Sequence, residues 1–200
     1  MTSHDTVLRN RVWELGPSDW KKALEIARSI QDPWYRCQSL AYVAENCPDP
    51  KQQIAIVQQA FKAGEAATGP NRIVTVSSWP LHILNGLHRE SEVRSRLERF
   101  LQIIATEPHP VRRMHGLAFL LHAVHPRRAL FLKVLEPFKE ACRNCHSWRV
   151  GQAIPQVAYL AEQIDSQLTS ELLDLITVAK ARRRAERQLF SLRTQHLQQK

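Results

Sequence analysis

The chain has 200 residues, 44% of them hydrophobic and 24% charged, with a formal charge of +9. That composition can fill the core of one domain or one short helical array, and it is not the composition of a disordered chain. Only six glycines, no Asn-Gly or Asp-Gly pair and little alternation of β-branched residues argue against a sheet, and no stretch reaches the roughly 18 apolar residues of a membrane span.

The amino-terminal MTSHDTVLRNRVWELG mixes polar and charged residues and lacks the apolar core of a secretory signal. The expected compartment is therefore the cytoplasm, and Cys37, Cys47, Cys142 and Cys145 are expected as reduced thiols. Asp5 is placed to cap a first helix that stops at Leu15 before Gly16. Ser18 is placed to cap the next, where Ala23, Leu24, Ala27 and Ile30 keep helical spacing.

Asp32-Pro33 and Asp49-Pro50 each set an acceptor at the N-cap and a proline at the first helical position, where its missing N–H is not needed. Their helices are expected to run to about Asn46 and to the residues before Gly69-Pro70. A helix over about 71–88 contains Pro80. Ser91 is expected to cap the next, which EPHP ends. Helices over about Val111–Val124 and His125–Arg143 follow, the second bent at Pro137. Ser147 is expected to cap a helix containing Pro155. Asp165 or Thr169 opens the last, with Leu168, Leu172, Leu175, Ile176 and Ala179 as its apolar stripe.

About ten helices joined by two to five residues predict an all-α fold. The expected architecture is a right-handed α-α superhelix, a solenoid of about five stacked antiparallel hairpins at about 5–30, 33–68, 71–106, 111–143 and 148–180. These form one domain over 1–180, followed by a basic helical extension over 181–200.

An arginine recurs near successive helix starts. Arg36, Arg72, Arg113 and Arg149 stand 36, 41 and 36 residues apart. Arg36 opens RCQSLAYVAE and Arg113 opens RMHGLAFLLHAV, with the same order of Leu-Ala, aromatic and aliphatic residues. Such a period marks stacked helical hairpins. The acidic or polar cap followed by Arg and then Ala/Leu positions resembles the second helix of a HEAT repeat, best at Asp32-Pro33-Trp34-Tyr35-Arg36 and at Val111-Arg112-Arg113. ALEIARSI followed by DPWYRCQSLAYVAE also looks like the helical pairs of tetratricopeptide-like bacterial arrays, without the full tetratricopeptide signature. The resemblance covers most of residues 18–180. It implies a fold and a generic binding role, and no active-site residues.

The four arginines have two readings. In the first they form a structural ladder, each guanidinium bonding a neighbouring cap, helix end or carboxylate. In the second they are a row of cations facing a ligand, and Arg113, with Arg112 beside it and no acid close by, suits that use best. The stretch from Pro108 to Leu135 holds Arg112, Arg113, Arg127, Arg128, Lys133 and four histidines, His115 and His122 among them, and no carboxylate. It is read as a solvated surface balanced by acids at its margins, or as a patch for phosphate or an acidic partner that gains charge as histidines protonate. His115 and His122 lie two helical turns apart, about 10 Å, too far to share one metal ion.

Cys142, Cys145 and His146 match the C-x-x-C-H pattern of haem attachment, but without an export signal or a second ligand pair. No cofactor or metal is expected from them. Carboxylates sit one turn from basic residues, as in Glu92–Arg96 and Arg94–Glu98, which reads as solvated helix faces and not as catalysis. Trp34 and Trp148 precede repeat arginines and become binding anchors if exposed beside them.

From Lys180 to Lys200 there are seven basic residues and one acid. This tail, with Arg182, Arg183, Arg184 and Arg187, is read as a frayed helix, a helix capping the array, or an arm for a partner, with capping preferred because Phe190 needs cover. The function expected is a non-catalytic scaffold binding a protein partner on a concave Arg/Trp-lined surface. The alternative is nonspecific nucleic-acid binding through residues 108–135 and the tail.

Overall fold

A computed structural model describes residues 4–145 and 148–198. Among them are eleven helices and no strand. They are α1 (His4–Leu15), α2 (Trp20–Ser29), α3 (Pro33–Asn46), α4 (Pro50–Glu65), α5 (Pro70–Gly86), α6 (Glu90–Ala105), α7 (Pro110–Val124), α8 (Arg128–Arg143), α9 (Val150–Glu162), α10 (Ser166–Asp174) and α11 (Ala179–Gln198). None is long and apolar enough to cross a membrane. The chain divides into two compact units, residues 1–103 and 104–200.

Short polar side chains and prolines start the helices. The Asp32 carboxylate accepts from the Trp34 and Tyr35 N–H groups, Asp49 from Lys51 and Gln52, and Asp165 from Gln167. Prolines occupy the first position of α3, α4, α5 and α7. Several starts differ from expectation. Asp5 lies inside the first turn of α1, and its carboxylate accepts from the Gln31 and Asp32 N–H groups instead of capping. α8 opens at Arg128 and not at His125, and α9 opens at Val150 after Arg149, the expected cap Ser147 lying outside the described residues. Asp19, not Ser18, caps α2 by accepting from Lys22 N, and the Ser18 hydroxyl instead donates back to Leu15 O. A carboxylate is the stronger acceptor and stands directly before the first helical residue. α6 begins at Glu90, ahead of Ser91, because a tight turn delivers the chain early. His88 takes the left-handed conformation there (φ 56°), and the His88 and Arg89 N–H groups reach back to Asn85 and Leu84 carbonyls.

In the first unit α3 packs on α4 as a hairpin, and α1, α3 and α5 lie side by side. Arg28 Nε donates to Gln59 Oε1 between α2 and α4. The fully buried rings of Phe61 and Phe100 meet at 6.1 Å between α4 and α6. Arg96 lies over Phe61 at 4.3 Å and bonds Glu65 and Gln58. The expected Glu92–Arg96 pair gives way to this: Arg96 reaches α4, and Glu92 holds Arg89. Packing is tightest where α3, α4 and α5 meet through small residues. A Cβ on Gly64 would stand 2.5 Å from Ser77 Oγ and 3.0 Å from Cys37 Sγ. The buried Cys37 thiol donates to Val76 O, and desolvation pushes its pKa far up, so it stays protonated.

In the second unit α7 packs on α8, α9 on α10, and α9 touches both α7 and α11. Phe131 and Phe138 of α8 are fully buried. Lys139, only 6% exposed, is held by Glu136 and Glu171. The last apolar stripe divides at Leu175–Val178, so α10 ends at Asp174 and the basic segment is a helix of its own. α11 docks on α9 through buried Ala185 and Leu189, with Ala181 against Gly151, and Arg193 clamps Glu162 with two bonds at 2.7 and 2.8 Å. Phe190, which capping was expected to cover, is 68% exposed because it is turned about 100° round α11 from Leu189, off the docked stripe.

Two backbone features give stability predictions. Gly64→Ala should lower unfolding free energy by about 1–3 kcal/mol, since its methyl group enters a contact whose neighbours are buried; a chemical-denaturation midpoint equal to the parent's would disprove it. His88→Gly should raise stability by roughly 0.5–1 kcal/mol, by removing the Cβ penalty at a left-handed residue. A thermal melt of the same protein reads that change.

Candidate functional site

Arg36 and Arg113 occupy the same geometric position. Each is the fourth residue of a helix that begins with proline, α3 or α7. Each reaches the carbonyl six residues back, in the turn that precedes the helix. Arg36 Nε donates to Ile30 O, and Arg113 Nε and Nη2 donate to Glu107 O at 3.0 and 2.6 Å. A helix leaves its last carbonyls without internal partners, and a guanidinium fork satisfies one of them while fixing the turn. Arg113, which lacks an acid in sequence, is thus turned to a backbone oxygen. Arg128 behaves alike, donating to Ile164 O at 3.0 Å and to Asp165 Oδ2 at 3.1 Å.

Arg72 and Arg149 form the other pair. Both are exposed and both lie over tryptophan faces: Arg72 over Trp34 at 5.4 Å, Arg149 over Trp148 at 5.5 Å. Arg113 stands 77 positions after Arg36, and Arg149 stands 77 after Arg72. The alternation is therefore structural staple, then surface cation on an aromatic ring, repeated once in each unit. Trp34 is half-buried, whereas Trp148 is 69% exposed.

Along α7, Arg112, His115, Phe119 and His122 follow one another at intervals of three and four, on one face. Arg112, His115 and His122 are exposed, and the His115 ring meets Phe119 at 4.9 Å. His115 is exposed overall but desolvated on the side that meets Phe119; that partial burial first, and then the positive charge of Arg149, hold its pKa below its ordinary value of 6.5. α9 packs on α7, and Arg149 ahead of it is near enough to His115 to act on its charge. Two pairs result: His115 with Phe119 on α7, the imidazole kept largely neutral near pH 7, and Trp148 under the Arg149 guanidinium.

Arg127 is half-buried and engaged within the protein, as is the exposed Lys133. Of the 108–135 cations, Arg112 alone is both exposed and without a bonded acceptor among the described residues. On α11, Arg182 is taken by Asp174 (2.8 Å) and Glu186 (3.2 Å). Arg183, Arg184 and Arg187 are exposed with no carboxylate bonded, Arg187 Nε donating only to Arg183 O. Three exposed arginines without a bonded carboxylate thus lie on this helix, against Arg112 on the 108–135 stretch.

Cys142 and Cys145 are buried, and His146 lies outside the described residues. Desolvation raises the Cys142 thiol to about 12, and the neighbouring Cys145 adds to the rise. That favours the protonated thiol over the thiolate a metal requires. One cation–aromatic cluster lay outside the sequence reading: Arg9 of α1 lies between Trp13 (4.7 Å) and Tyr35 (5.1 Å). Arg9 and Trp13 are an i,i+4 pair on one helix, and the packing of α3 on α1 adds Tyr35.

No family model matches the chain, and no curated protein or solved structure matches it either.

His115 has a pH signature. Between its depressed folded pKa and 6.5 the unfolded chain binds the extra proton, so stability falls as pH falls through that window. His115→Gln should flatten the change in unfolding free energy between about pH 7.5 and about pH 5.5. Arg149→Gln should raise the His115 midpoint in an NMR titration, and a midpoint that stays put would contradict the coupling.

Proposed function

We propose that this protein is a non-catalytic helical-repeat scaffold, a right-handed α-α superhelix, that binds a protein partner in the cytoplasm through arginine-backed aromatic side chains. The observation that carries the reading is Trp148. It is 69% exposed and has Arg149 over its ring, and Arg149 is also close enough to His115 of the His115–Phe119 pair to act on its charge. An exposed tryptophan that a partner covers contributes about 3 kcal/mol from area alone, and Trp with Arg dominates interface hot spots. Val178, 63% exposed ahead of α11, adds apolar surface at a neighbouring helix start, since Gly151 of α9 lies against Ala181 of α11.

Support for a stacked array comes from the order of packing. Within each unit a helix touches its hairpin partner and the helix two places on, as α3 touches α4 and α5, and α9 touches α10 and α11. That order suits recognition by a rigid surface, where little ordering cost opposes binding.

A photo-crosslinking side chain at exposed Gln152, compared with the same probe at exposed Glu25, tests the reading in native extract. A discrete protein adduct at 152 that is absent at 25 is expected, and Trp148→Ala should reduce its yield by roughly tenfold or more at limiting protein. The same adduct pattern at both positions, or a yield indifferent to Trp148→Ala, would sink the proposal.

A further inference from the structure

Residues 104–200 carry 15 Lys and Arg against 8 Asp and Glu, a balance of +7, whereas residues 1–103 carry 13 against 11, or +2. Part of the excess in the second unit is concentrated on one side of α11. Lys180, Arg183, Arg184 and Arg187 recur at helical intervals of three, one and three, and Phe190 follows three residues later. All five are exposed, and among the described residues no carboxylate is bonded to the four cations. Lys180, Arg183, Glu186, Arg187 and Phe190 line an open hollow of about 860 Å³. The one acid there, Glu186, is engaged by Arg182.

The opposite side of the helix explains why this face is presented. Ala181, Ala185 and Leu189 hold α11 on α9, and Arg193 is fixed to Glu162. The docked stripe leaves the cations and Phe190 pointing away from the packed side. From Lys180 to Phe190 is ten residues, about 15 Å of helix.

We infer that this face of α11 binds single-stranded nucleic acid, with Lys180, Arg183, Arg184 and Arg187 on successive phosphates and Phe190 as a platform for an unstacked base. Three of the four cations are arginines, whose planar forks match phosphate oxygens. A lone aromatic ring set among cations supplies a stacking surface. An amphipathic acidic peptide would require a row of apolar residues, which this face lacks. Single strands combine the two needs, a charged backbone and free base faces, without sequence preference. The site is separate from the Trp148 surface and stands or falls apart from it.

The test is fluorescence anisotropy of the full chain with labelled oligothymidylate and oligouridylate of about 15 nucleotides, from about 50 to about 200 mM salt. Binding to either strand type supports the site, and the ratio of the two tells DNA from RNA. Four phosphate contacts give a log–log salt slope near −3, at about 0.7 per contact. Arg183→Gln with Arg187→Gln should make that slope shallower by about 1.4. Phe190→Ala should weaken binding by roughly 5- to 100-fold and leave the slope unchanged. Both changes lie on exposed positions, and an unaltered far-UV circular dichroism spectrum confirms the fold. No binding at about 50 mM salt, or a slope unmoved by the arginine changes, overturns the inference. So does affinity indifferent to Phe190→Ala, or polyglutamate of matched charge binding as tightly, which would make the face a site for acidic protein.

Discussion

The angle at which one helix leaves another rests here on an arginine bonded to a carbonyl. A helix end exposes four carbonyl oxygens that its own N–H groups do not reach. At the turns before α3 and α7, the fourth residue of the new helix supplies a guanidinium to the carbonyl six positions earlier. Proline at the first helical position fixes the entry of the chain into the helix, and the arginine fixes what it leaves. Hydrogen bonds of this kind join a charged donor to a partly buried acceptor, and each is worth about 1.5–3 kcal/mol. More important is direction. The fork admits a narrow set of turn geometries, so the next helix is aimed before its apolar face meets anything.

Aiming the helices also aligns their starts. Within the first unit Asp5 of α1 accepts from the Gln31 and Asp32 N–H groups ahead of α3, and Arg72 of α5 lies over Trp34 of α3. In the second unit Arg149, at the start of α9, sits close enough to perturb His115 of α7, and Gly151 meets Ala181 of α11. Residues in the first turn of one helix thereby become neighbours of residues in the first turn of another. Aromatic and guanidinium groups placed there form pairs that no single helix could make. The two roles of the recurring arginine follow from depth: a side chain turned into the helix junction is a staple, and one at the outer edge is free to lie on a ring.

The punctuation of this fold was legible in the sequence because it depends on adjacent residues. Asp-Pro at α3 and α4, and Asp165 at α10, act locally and do so as read. Of the two readings of the repeat arginines, the ladder describes Arg36 and Arg113. The ligand reading of Arg113 rested on the lack of a nearby acid, but its acceptor is a backbone carbonyl, which carries no sequence identity. The Glu92–Arg96 reading failed for a related reason: a neighbour one turn away competes with Glu65 on another helix, where Phe61 also offers its ring to Arg96. Arg9 and Trp13 are an i,i+4 pair, but nothing in the sequence announces that Tyr35 joins them, since α1 and α3 must pack first. His88 in the left-handed conformation, two residues after a glycine that does not need it, shows the same limit at the level of one turn.

The end of the chain joins these strands. Read as one apolar stripe, Leu168 to Ala179 continues a single helix, yet α10 stops at Asp174. Had it continued, the arginines would have projected as a free arm with no fixed face. Breaking the helix turns the segment back against α9, where two alanines and a leucine are small and apolar enough to seat it and Arg193 locks its far part to Glu162. Docking divides α11 into a covered side and an uncovered one, and the arginine block is distributed between them. Arg182 goes to Asp174 and Glu186, whereas Arg183, Arg184 and Arg187 have no acid bonded among the described residues. Like charges held along one helix face repel one another, by a few tenths of a kcal/mol per pair, so the arrangement opposes helix stability in isolation. An anionic chain laid along that face relieves the repulsion at every contact. Phe190 cannot relieve it, and its ring is not needed for docking, because Leu189 already fills the covered side. An aromatic ring kept in water at the end of a cation row with no acid bonded among the described residues suits the proposed ligand, which would carry both phosphates and bases.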